Sequence, residues 1–523
     1  MDREKNLRNF HEAQWDEPII YEESVPGSCA ITLPELTDDE KAAAKKSSVP
    51  QSIRRDGALN LPEMAQPQVL RHYLRLSQET IGQDENIDIG LGTCTMKYSP
   101  KIDEQFVKSP KFADIHPLQD DSTVQGMLKV IYDFEQMMCK ISGMDAVSFQ
   151  AGSGGQGIYA NASVLKKYWR DRGQEKQRTQ IITTILSHPI DAAAPATKGF
   201  EVITLMPNAN GYPSVDDLRA VVSDKTAGIF ITNPEDTGVF NPIIHEFVDI
   251  VHRAGGLCVC DMADYNGMWG LIRAKELGAD MCHFNLHKAF SSPHGCMGPG
   301  CAAQCVTKEL EKYLPRPRVR FDGKRYYCDY DGPDAIGRIR QFHGSLAAVL
   351  RAYAWVLTLG DEGLKTVGEI AVLNNNYMMK RLLTEVKGIS RSYDKEAPHR
   401  LEQVRYSWEN LKKDTGIGGE LVNRRLLDFG FQRFFASHHP EIVPEPFTPE
   451  PTESYSKADI DEYVDALKEI SWEAYHQPEI FKGAPHNAPI HRLQKDSIDS
   501  VDELEVTWRA VLKHRGRDKK EKA

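Results

Sequence analysis

The sequence predicts an α/β protein built around a mostly parallel sheet. Short apolar strands alternate with helices of about ten to fifteen residues between residues 146 and 285, which is the pattern of consecutive βαβ units. A glycine-rich loop follows the first of these strands, and polar or charged residues follow several later ones. Sites of open α/β sheets form beyond the carboxyl ends of the strands, so these residues are the candidates for function.

The elements follow one another in a regular order along the chain. Short apolar runs predict strands, and apolar residues at helical spacing predict helices. The predicted strands span 146–150, 180–186, 201–205, 227–232, 257–260 and 281–285. The predicted helices span 68–78, 124–142, 158–172, 214–222, 243–254, 271–277, 345–359, 363–386 and 457–475.

Composition and periodicity divide the 523 residues into four predicted parts. Residues 1–65 are polar and punctuated by proline, and they predict an extended N-terminal arm. Residues 66–335 carry the strand and helix alternation of a large α/β domain. Longer helices and mixed segments predict a smaller α+β C-terminal domain over 336–475, followed by a C-terminal extension over 476–523.

The charge and hydropathy of the chain argue against several classes of protein. A formal net charge of -11 disfavours a nucleic-acid surface, because phosphate binding needs clustered Lys and Arg. The chain has no run of about 18 apolar residues, which argues against a membrane span. No apolar segment follows the charged first residues, so a soluble, cytoplasmic protein is expected. The ten cysteines fall outside zinc and disulfide spacings, and no H-E-x-x-H pattern predicts a catalytic metal.

The loop after the first strand has the spacing Gly152-x-Gly154-x-x-Gly157 and runs directly into a helix. This spacing matches the dinucleotide-binding fingerprint. A dinucleotide site also needs an acidic residue at the end of a second strand, about twenty residues later, to bind the ribose. The chain has a charged stretch there and no such strand end. Backbone N–H groups at a helix N-terminus favour any anion, and Ser153 adds a hydroxyl donor. A phosphate cradle formed by Ser153, Gly154 and Gly155 is the leading interpretation, with an NAD site and a plain tight turn as alternatives.

Lys288 is the candidate nucleophile of the chain. It follows the strand-like run 281–286 and precedes a glycine-rich loop. A lone lysine is usually a solvated surface charge, yet this one has histidines on both sides and an aspartate at a strand end upstream. We expect this setting to lower the pKa of the amine, which would let it form a Schiff base with an aldehyde.

Three further strands end in polar groups. Asp261 closes one strand, His188 closes another, and Thr232 and Asn233 follow a third. Taken alone, Asp261 would be a helix N-cap or a turn acid, and His188 would be a structural histidine. A buried carboxylate can instead keep a heterocyclic nitrogen protonated, and an imidazole can stack on the ring. Together with Lys288 and the glycine loop, these residues are the set that pyridoxal 5'-phosphate (PLP) requires.

A set of short motifs is distributed along most of the chain. The motifs are Trp15-Asp16-Glu17-Pro18, Leu91-Gly92-Thr93-Cys94-Thr95-Met96-Lys97-Tyr98, His116-Pro117-Leu118-Gln119, Ser153-Gly154-Gly155-Gln156-Gly157, Thr232-Asn233-Pro234, Asn285-Leu286-His287-Lys288 with Pro293-His294-Gly295, and Glu450-Pro451-Thr452-Glu453. With them the chain resembles the P-protein family of the glycine cleavage system. In length and layout it resembles the two-gene form, subunit 2 of glycine dehydrogenase (decarboxylating). The motif around Lys288 is highly specific.

The resemblance implies the PLP-dependent fold type I. Lys288 would hold the cofactor as a Schiff base, Asp261 would pair with the pyridine nitrogen, and His188 would stack on the ring. The loop that begins at Ser153 would hold the phosphate. The other cofactor-binding residues would be Gly154, Gly155, Thr232, Asn233, Ala263 and His287.

The resemblance also implies an activity and partners. In the family, glycine displaces the lysine and loses CO2, and the carbanion left behind passes to the lipoyl arm of the H-protein. An amino-acid substrate and a decarboxylating PLP enzyme are therefore expected, as a homodimer or a heteromer with a subunit 1 paralogue. A protonated pyridine is an electron sink, and it lowers the barrier to a Cα carbanion.

Several positions on the substrate side depart from the family pattern. The family's Gly-Thr-Asn-Pro after the histidine is Pro189-Ile190-Asp191-Ala192, and its Asp-Gly-Ala-Asn is Asp261-Met262-Ala263-Asp264. The segment 433–439 replaces a more regular Pro-Pro-Thr pattern. Asp191 and Asp264 are therefore substrate-side candidates. The loop 87–98, whose small and hydroxyl side chains indicate close approach to a ligand, adds Thr93, Cys94, Thr95 and Lys97.

These departures leave two alternatives to a glycine decarboxylase. One is a diverged stand-alone PLP enzyme that makes a Cα carbanion from another amino acid for C–C or C–S bond formation in a biosynthetic pathway. The other is a non-catalytic partner subunit or an NAD-binding oxidoreductase. The intact Lys288 argues against a non-catalytic subunit.

Overall fold

The computed structural model describes residues 7–45, 49–55, 57, 59–82, 85–94, 97–293, 300–393, 399–439, 442–489 and 507–521. Contacts between residues divide the chain into two units. The first unit contains Met1–Arg8 and Gln83–Lys482, and the second contains Asn9–Gly82 and Gly483–Ala523. The domain boundaries expected from the sequence at residues 65, 335 and 475 stay predictions.

The first unit is built around a seven-stranded sheet. Its strands are β1 Ala146–Ser148, β2 Gln180–Thr184, β3 Glu201–Leu205, β4 Thr226–Thr232, β5 Leu257–Asp261, β6 Met281–Asn285 and β7 Ala302–Val306. They lie in the order β1-β7-β6-β5-β4-β2-β3, and β7 runs antiparallel to both of its neighbours. The pairs β2–β3, β2–β4, β4–β5 and β5–β6 are parallel. The mostly parallel sheet predicted from the sequence is confirmed.

Helices cover both faces of this sheet. Within the described residues the α-helices are α1 Asp38–Lys45, α2 Gln66–Gln78, α3 Ile102–Val107, α4 Pro110–Ala113, α5 Gln125–Ser142, α6 Gly154–Asp171, α7 Ile190–Thr197, α8 Val215–Val221, α9 Ile244–Arg253, α10 Leu346–Glu385, α11 Glu409–Thr415, α12 Gly419–Leu427, α13 Lys457–His476 and α14 Trp508–Glu521. Along β5, Leu257 and Val259 join the core under α6, whereas Cys258 and Cys260 join the core under α5, α9 and α10. Strand side chains alternate between faces, so one strand supplies both layers.

A second hydrophobic core forms in the C-terminal part of the first unit. Its sheet has the order β10-β11-β12, with β10 Ser390–Arg391, β11 Tyr406–Ser407 and β12 Pro446–Phe447. A separate hairpin pairs β8 Arg318–Phe321 with β9 Tyr326–Asp329. The end of α10 packs in the second core with α11, α12 and α13. Within α10 the helical path is interrupted at Gly360, whose φ of 63° glycine adopts readily, so the two separate helices predicted there are confirmed.

The second unit brings segments from both ends of the chain together. The ring of Tyr21 stacks on that of Trp508, with 5.2 Å between the centroids. Arg515 pairs with Glu22 at 2.6 Å. These contacts join the N-terminal segment to α14, within a unit that also contains α1 and α2.

Some predicted elements are wrong. Residues 271–277 form isolated turns and not a helix, because Gly270 and Gly278 on either side have φ values of 70° and 88° that end a helical path. The helix expected from residue 158 begins at Gly154, because Ser153 caps it and its Oγ accepts a hydrogen bond from the Gln156 amide at 3.1 Å.

Other elements were not predicted. The helix α7 contains Pro195, and proline in a helix interior is normally a breaker. Strand β7 reads Ala-Ala-Gln-Cys-Val, so its only β-branched residue is the last one. Contacts with the neighbouring strands and helices hold both elements in place, and the residues within each element do not predict these contacts.

Two further observations concern the cysteines and the helices of the described part. Nine cysteines are described and all nine are free, while Cys296 lies outside the described residues. Among the described helices, none combines the length and the apolar character that crossing a bilayer requires.

The second core provides a stability test. We expect Leu382→Ala to lower the free energy of unfolding by about 2–5 kcal/mol, because removing a fully buried side chain leaves a cavity. Leu373 lies on the same helix and is 68% exposed, so Leu373→Ala is the matched control and should change stability by less than about 0.5 kcal/mol. Urea denaturation followed by circular dichroism measures both. Equal losses of stability in the two variants would contradict the burial of Leu382 in the second core.

Candidate active site

The carboxyl ends of neighbouring strands enclose a cavity of about 470 Å³. Strands β6, β5, β4 and β2 lie side by side, so Lys288, Asp261, Thr232 and His188 converge although they are far apart in sequence. The strand register places Thr232 opposite Asp261 and Asp261 opposite His283. The cavity therefore occupies the edge of the sheet where α/β proteins place their sites.

Most of the predicted site residues line this cavity. They are Thr93, Cys94, Ser153, Gly154, Gly155, His188, Thr232, Asp261, Ala263, Asp264, His287 and Lys288. Asn233, Asp191 and Lys97 do not line it. Thr95 lies outside the described residues.

Asn233 and Asp191 make contacts within the protein beside the cavity, and their contact with a ligand stays a prediction. The side-chain oxygen of Asn233 accepts from the Asn241 amide at 2.8 Å, and its NH2 donates to the Asn241 carbonyl at 3.3 Å, so it holds the loop after β4. Asp191 is fully buried and accepts a hydrogen bond from Thr232 Oγ1 at 3.1 Å. Burial and the charge of Asp261 raise the pKa of Asp191 well above its usual range.

The ammonium group of Lys97 also has partners within the protein, and its contact with a substrate stays a prediction. It pairs with Glu453 at 2.7 Å, donates to Asn266 Oδ1 at 3.3 Å and lies 4.6 Å from the centroid of the Trp355 ring. The Asn266 amide donates in turn to Glu450 at 2.7 Å. A buried charge needs such partners, so Lys97 connects two of the sequence motifs and anchors its loop.

The N-terminus of α6 forms one part of the cavity wall. The amides of Gly154 and Gly155 line the cavity and have no acceptor within the described part of the chain. These groups and the helix dipole favour an anion, and the Ser153 hydroxyl can add a hydrogen bond. A side chain at Gly154 would place its Cβ 2.7 Å from Asn285 Nδ2, so the close approach requires glycine. The arrangement fits the phosphate group of PLP.

Asp261 lies between the strand ends with one oxygen free. Its Oδ1 accepts a hydrogen bond from the Ala263 amide at 2.8 Å and lies 3.4 Å from His283 Nε2. The other carboxylate oxygen has no partner among the described residues, and Asp261 is only 3% exposed. A buried carboxylate with a free oxygen can hold a proton on a ring nitrogen, so this position also fits PLP.

The amine of Lys288 is held by a carboxylate. Its Nζ donates to Asp264 Oδ1 at 2.9 Å and to the carbonyl of Thr93. Burial acts to lower the pKa of Lys288, but the negative groups around it, above all Asp264, outweigh burial and raise the pKa above its usual value. The lowered amine pKa expected from the sequence is therefore wrong for the protein without a cofactor.

The ring of His188 is neutral at neutral pH. Its Nδ1 accepts a hydrogen bond from the Ile190 amide at 3.1 Å, and its ring contacts that of His438, with 4.4 Å between the centroids. Burial, followed by the proximity of His438, lowers the pKa of His188 to about 4. A neutral imidazole lining the cavity fits the predicted stacking role.

The cavity also contains polar residues that were not predicted. His283 and Asn285 alternate with His287 along β6 and just beyond it, and this period of two in a buried strand was a usable signal. Asp236 and His438 come from two loops that are 202 residues apart, and local sequence carries no signal that they meet.

We expect His188 to remain neutral well below neutral pH. Its signal in spectra of protein labelled with carbon-13 histidine should titrate near pH 4, because burial disfavours the charged ring. His252 is the internal control, since its hydrogen bond to Asp280 raises its pKa above 6.5. His188→Gln assigns the signal. A His188 ring that is protonated before His252 as the pH falls would contradict the geometry.

We expect Asp264→Asn to lower the pKa of Lys288 by about one to three pH units, because it removes the carboxylate that stabilises the ammonium ion. The measurement is the pH dependence of the rate at which the cofactor-free protein takes up PLP, followed by absorbance. Asp249→Asn, at a side chain that is 60% exposed, is the matched control. An unshifted midpoint in Asp264→Asn would show that this carboxylate does not control the amine.

Comparison with known proteins finds relatives that match this chain over nearly its full length. The chain is 41% identical over 514 residues to a Pyrococcus horikoshii protein described as "Probable glycine dehydrogenase (decarboxylating) subunit 2", covering 97% of this chain and 99% of that one. Proteins with the same description from Thermococcus kodakarensis and Caldanaerobacter subterraneus are 42% and 39% identical. The alignments cover 97% and 94% of this chain, and 99% and 98% of the relatives.

Family models and solved structures agree with these relatives. Residues 367–487 match the model "Glycine dehydrogenase, C-terminal domain", and residues 152–302 match "Aminotransferase class-V". The fold is similar to that of a glycine decarboxylase (P-protein) of the glycine cleavage system, with a TM-score of 0.70 and 18% identity over 84% of this chain and 100% of that one. It is also similar to the Escherichia coli cysteine desulfurase CsdA, with a TM-score of 0.56 and 13% identity over 75% of this chain and 96% of that one. The predicted PLP-dependent fold type I is confirmed.

Proposed function

The chain belongs to the family of glycine dehydrogenase (decarboxylating) subunit 2, and from this premise we propose that it is a PLP-dependent enzyme that decarboxylates glycine. The observation that carries the proposal is the convergence of Lys288, Asp261, His188 and the N-terminus of α6 on one cavity. Relatives that match over nearly the full length give no support to a diverged stand-alone enzyme.

The residues of the chain hold the cofactor at several points. PLP, when bound, supplies an electron sink for the electron pair left on Cα as the carboxyl group departs. The amides of Gly154 and Gly155 and the hydroxyl of Ser153 bind the phosphate. Asp261 keeps the ring nitrogen protonated, and the neutral ring of His188 lies against the cofactor.

Lys288 attaches the cofactor through its ε-amine. To react with an aldehyde the amine must lose a proton, and Asp264 Oδ1, 2.9 Å away, is placed to accept it. The Thr93 carbonyl accepts a second hydrogen bond from the same amine and so orients it. Thr232 acts indirectly, since its hydroxyl donates to Asp191 and fixes the strand end beside Asp261.

We also propose partners for this enzyme. The relatives are described as subunit 2, which supports assembly with a subunit 1 paralogue in preference to a homodimer. A lipoylated H-protein would accept the aminomethyl group, as the glycine cleavage system of the structural neighbour supports. A cytoplasmic location stays a prediction.

We expect Lys288→Ala to abolish the visible absorbance band of bound PLP and all decarboxylation, because the covalent attachment is lost. Lys365→Ala, at a side chain that is 57% exposed, is the matched control and should keep both. In the unaltered protein, borohydride should fix the cofactor on Lys288, as peptide mass spectrometry can show. No band after addition of PLP would contradict the proposed function.

The reaction itself is tested by isotope exchange. The protein purified with its subunit 1 partner and a lipoylated H-protein should exchange labelled bicarbonate into the carboxyl group of glycine. Exchange with another amino acid but not with glycine would reject the proposed substrate while leaving PLP chemistry in place.

A further inference from the structure

His438 lines the cavity but has no role in holding the cofactor. It lies in the segment between α12 and β12, 202 residues along the chain from its partner Asp236. Its Nδ1 lies 2.9 Å from Asp236 Oδ2, and the same carboxylate oxygen lies 2.9 Å from Arg405 Nη2. Arg405, Asp236 and His438 therefore form a row of three hydrogen-bonded side chains, and His438 is the one that ends at the cavity.

The geometry fixes which edge of the imidazole is available. Asp236 is 4% exposed and Arg405 is fully buried, and Arg405 Nε is held by Thr448 Oγ1 at 3.2 Å. Burial alone would raise the pKa of Asp236, but Arg405 and His438 lower it below its usual range, so the carboxylate is ionised. An ionised carboxylate only accepts hydrogen bonds, so Nδ1 of His438 carries a proton. Nε2 is the edge without a partner among the described residues.

The other nitrogen-bearing side chains that line the cavity have surroundings unlike those of His438. Lys288 attaches the cofactor, and His188 lies against it. His283 lies against Asp261, and His287 Nδ1 contacts the Cys301 backbone at 3.0 Å. His283 and Asn285 also have side-chain atoms without hydrogen-bond partners among the described residues, but both residues are at most 5% exposed. The side chain of His438 is 19% exposed, so its Nε2 can meet a substrate.

The charge around His438 suits an anionic group. An amino acid brings a carboxylate into a cavity that already contains three aspartates, Asp236, Asp261 and Asp264. Arg405 neutralises Asp236, so the carboxylate that orients His438 does not repel an incoming anion. Because Nδ1 already carries a proton, Nε2 donates to a carboxylate only when the ring carries a second proton and is a cation.

We propose that His438 Nε2 binds the carboxylate of the amino-acid substrate, and that Asp236 and Arg405 are positioning residues. The inference rests on the proposed function, because it requires an amino acid in this cavity. It adds a specificity element: the amine of the substrate meets the cofactor, and its carboxylate meets His438.

The test compares two ligands on the PLP-loaded protein purified with its subunit 1 partner. Glycine and methylamine share the amine, and methylamine lacks the carboxylate. Dissociation constants come from the change in cofactor absorbance on titration. We expect His438→Ala to weaken glycine binding by about 10- to 100-fold and to leave methylamine binding unchanged, because one hydrogen bond to a charged group is lost. His438→Gln, which retains an N–H donor, should recover part of the glycine affinity.

Two further variants test positioning and specificity. Asp236→Asn should weaken glycine more than methylamine, because the ring loses its orientation, whereas a merely structural effect would weaken both ligands alike. His439→Ala changes the next histidine along the chain, which does not line the cavity, and should keep both affinities.

The outcomes separate this inference from the proposed function. Glycine affinity that is unchanged in His438→Ala, or reduced together with methylamine affinity, would overturn the role of His438 while leaving glycine as the substrate. If the unaltered protein binds PLP and methylamine but not glycine, the proposed substrate is wrong and the carboxylate site is rejected with it.

Discussion

The register of the parallel strands determines the whole candidate site. Strands β4, β5 and β6 are aligned so that Thr232, Asp261 and His283 lie beside one another at the carboxyl edge of the sheet. Because side chains alternate along a strand, a slip of one residue would turn these groups away from the cavity. The backbone hydrogen bonds of the sheet therefore set the distances between the side chains of the candidate site. The position of Lys288 is set in the same way, because Lys288 lies three residues after the end of β6.

Charge compensation is the second constraint on this region. Each aspartate of the cavity has a donor of its own: the Ala263 amide for Asp261, Lys288 for Asp264, and Arg405 with His438 for Asp236. A buried carboxylate without such a donor would become protonated, as burial indicates for Asp191. The cavity can therefore contain several acids and still accept an anionic cofactor and an anionic substrate group.

A site residue or an element could be predicted from the sequence when the residues next to it in the chain carry its signal. Asp261, His188 and Lys288 could be found because each follows a short apolar strand, and the order of the strands brings them together. The helix expected at 271–277 failed because the chain turns at the left-handed Gly270 and Gly278 on either side, which an apolar pattern does not report. Arg405 and His438 could not be found, since their contacts with Asp236 join loops far apart in the chain. The partners of Lys97 could not be predicted either, because Glu453 and Asn266 are distant from it in sequence.

The helix α10 serves two hydrophobic cores. The continuous part after Gly360 contributes Leu364 and Val367 to the core beneath the large sheet, and its end contributes Met378 and Leu382 to the second core. If α10 melts, both cores lose part of their packing, so the two should fold and melt as one cooperative body. The enzyme would then have no state in which the sheet persists while the loop carrying His438 is detached. Loss of discrimination between an amino acid and a simple amine would then coincide with loss of the native fold on heating.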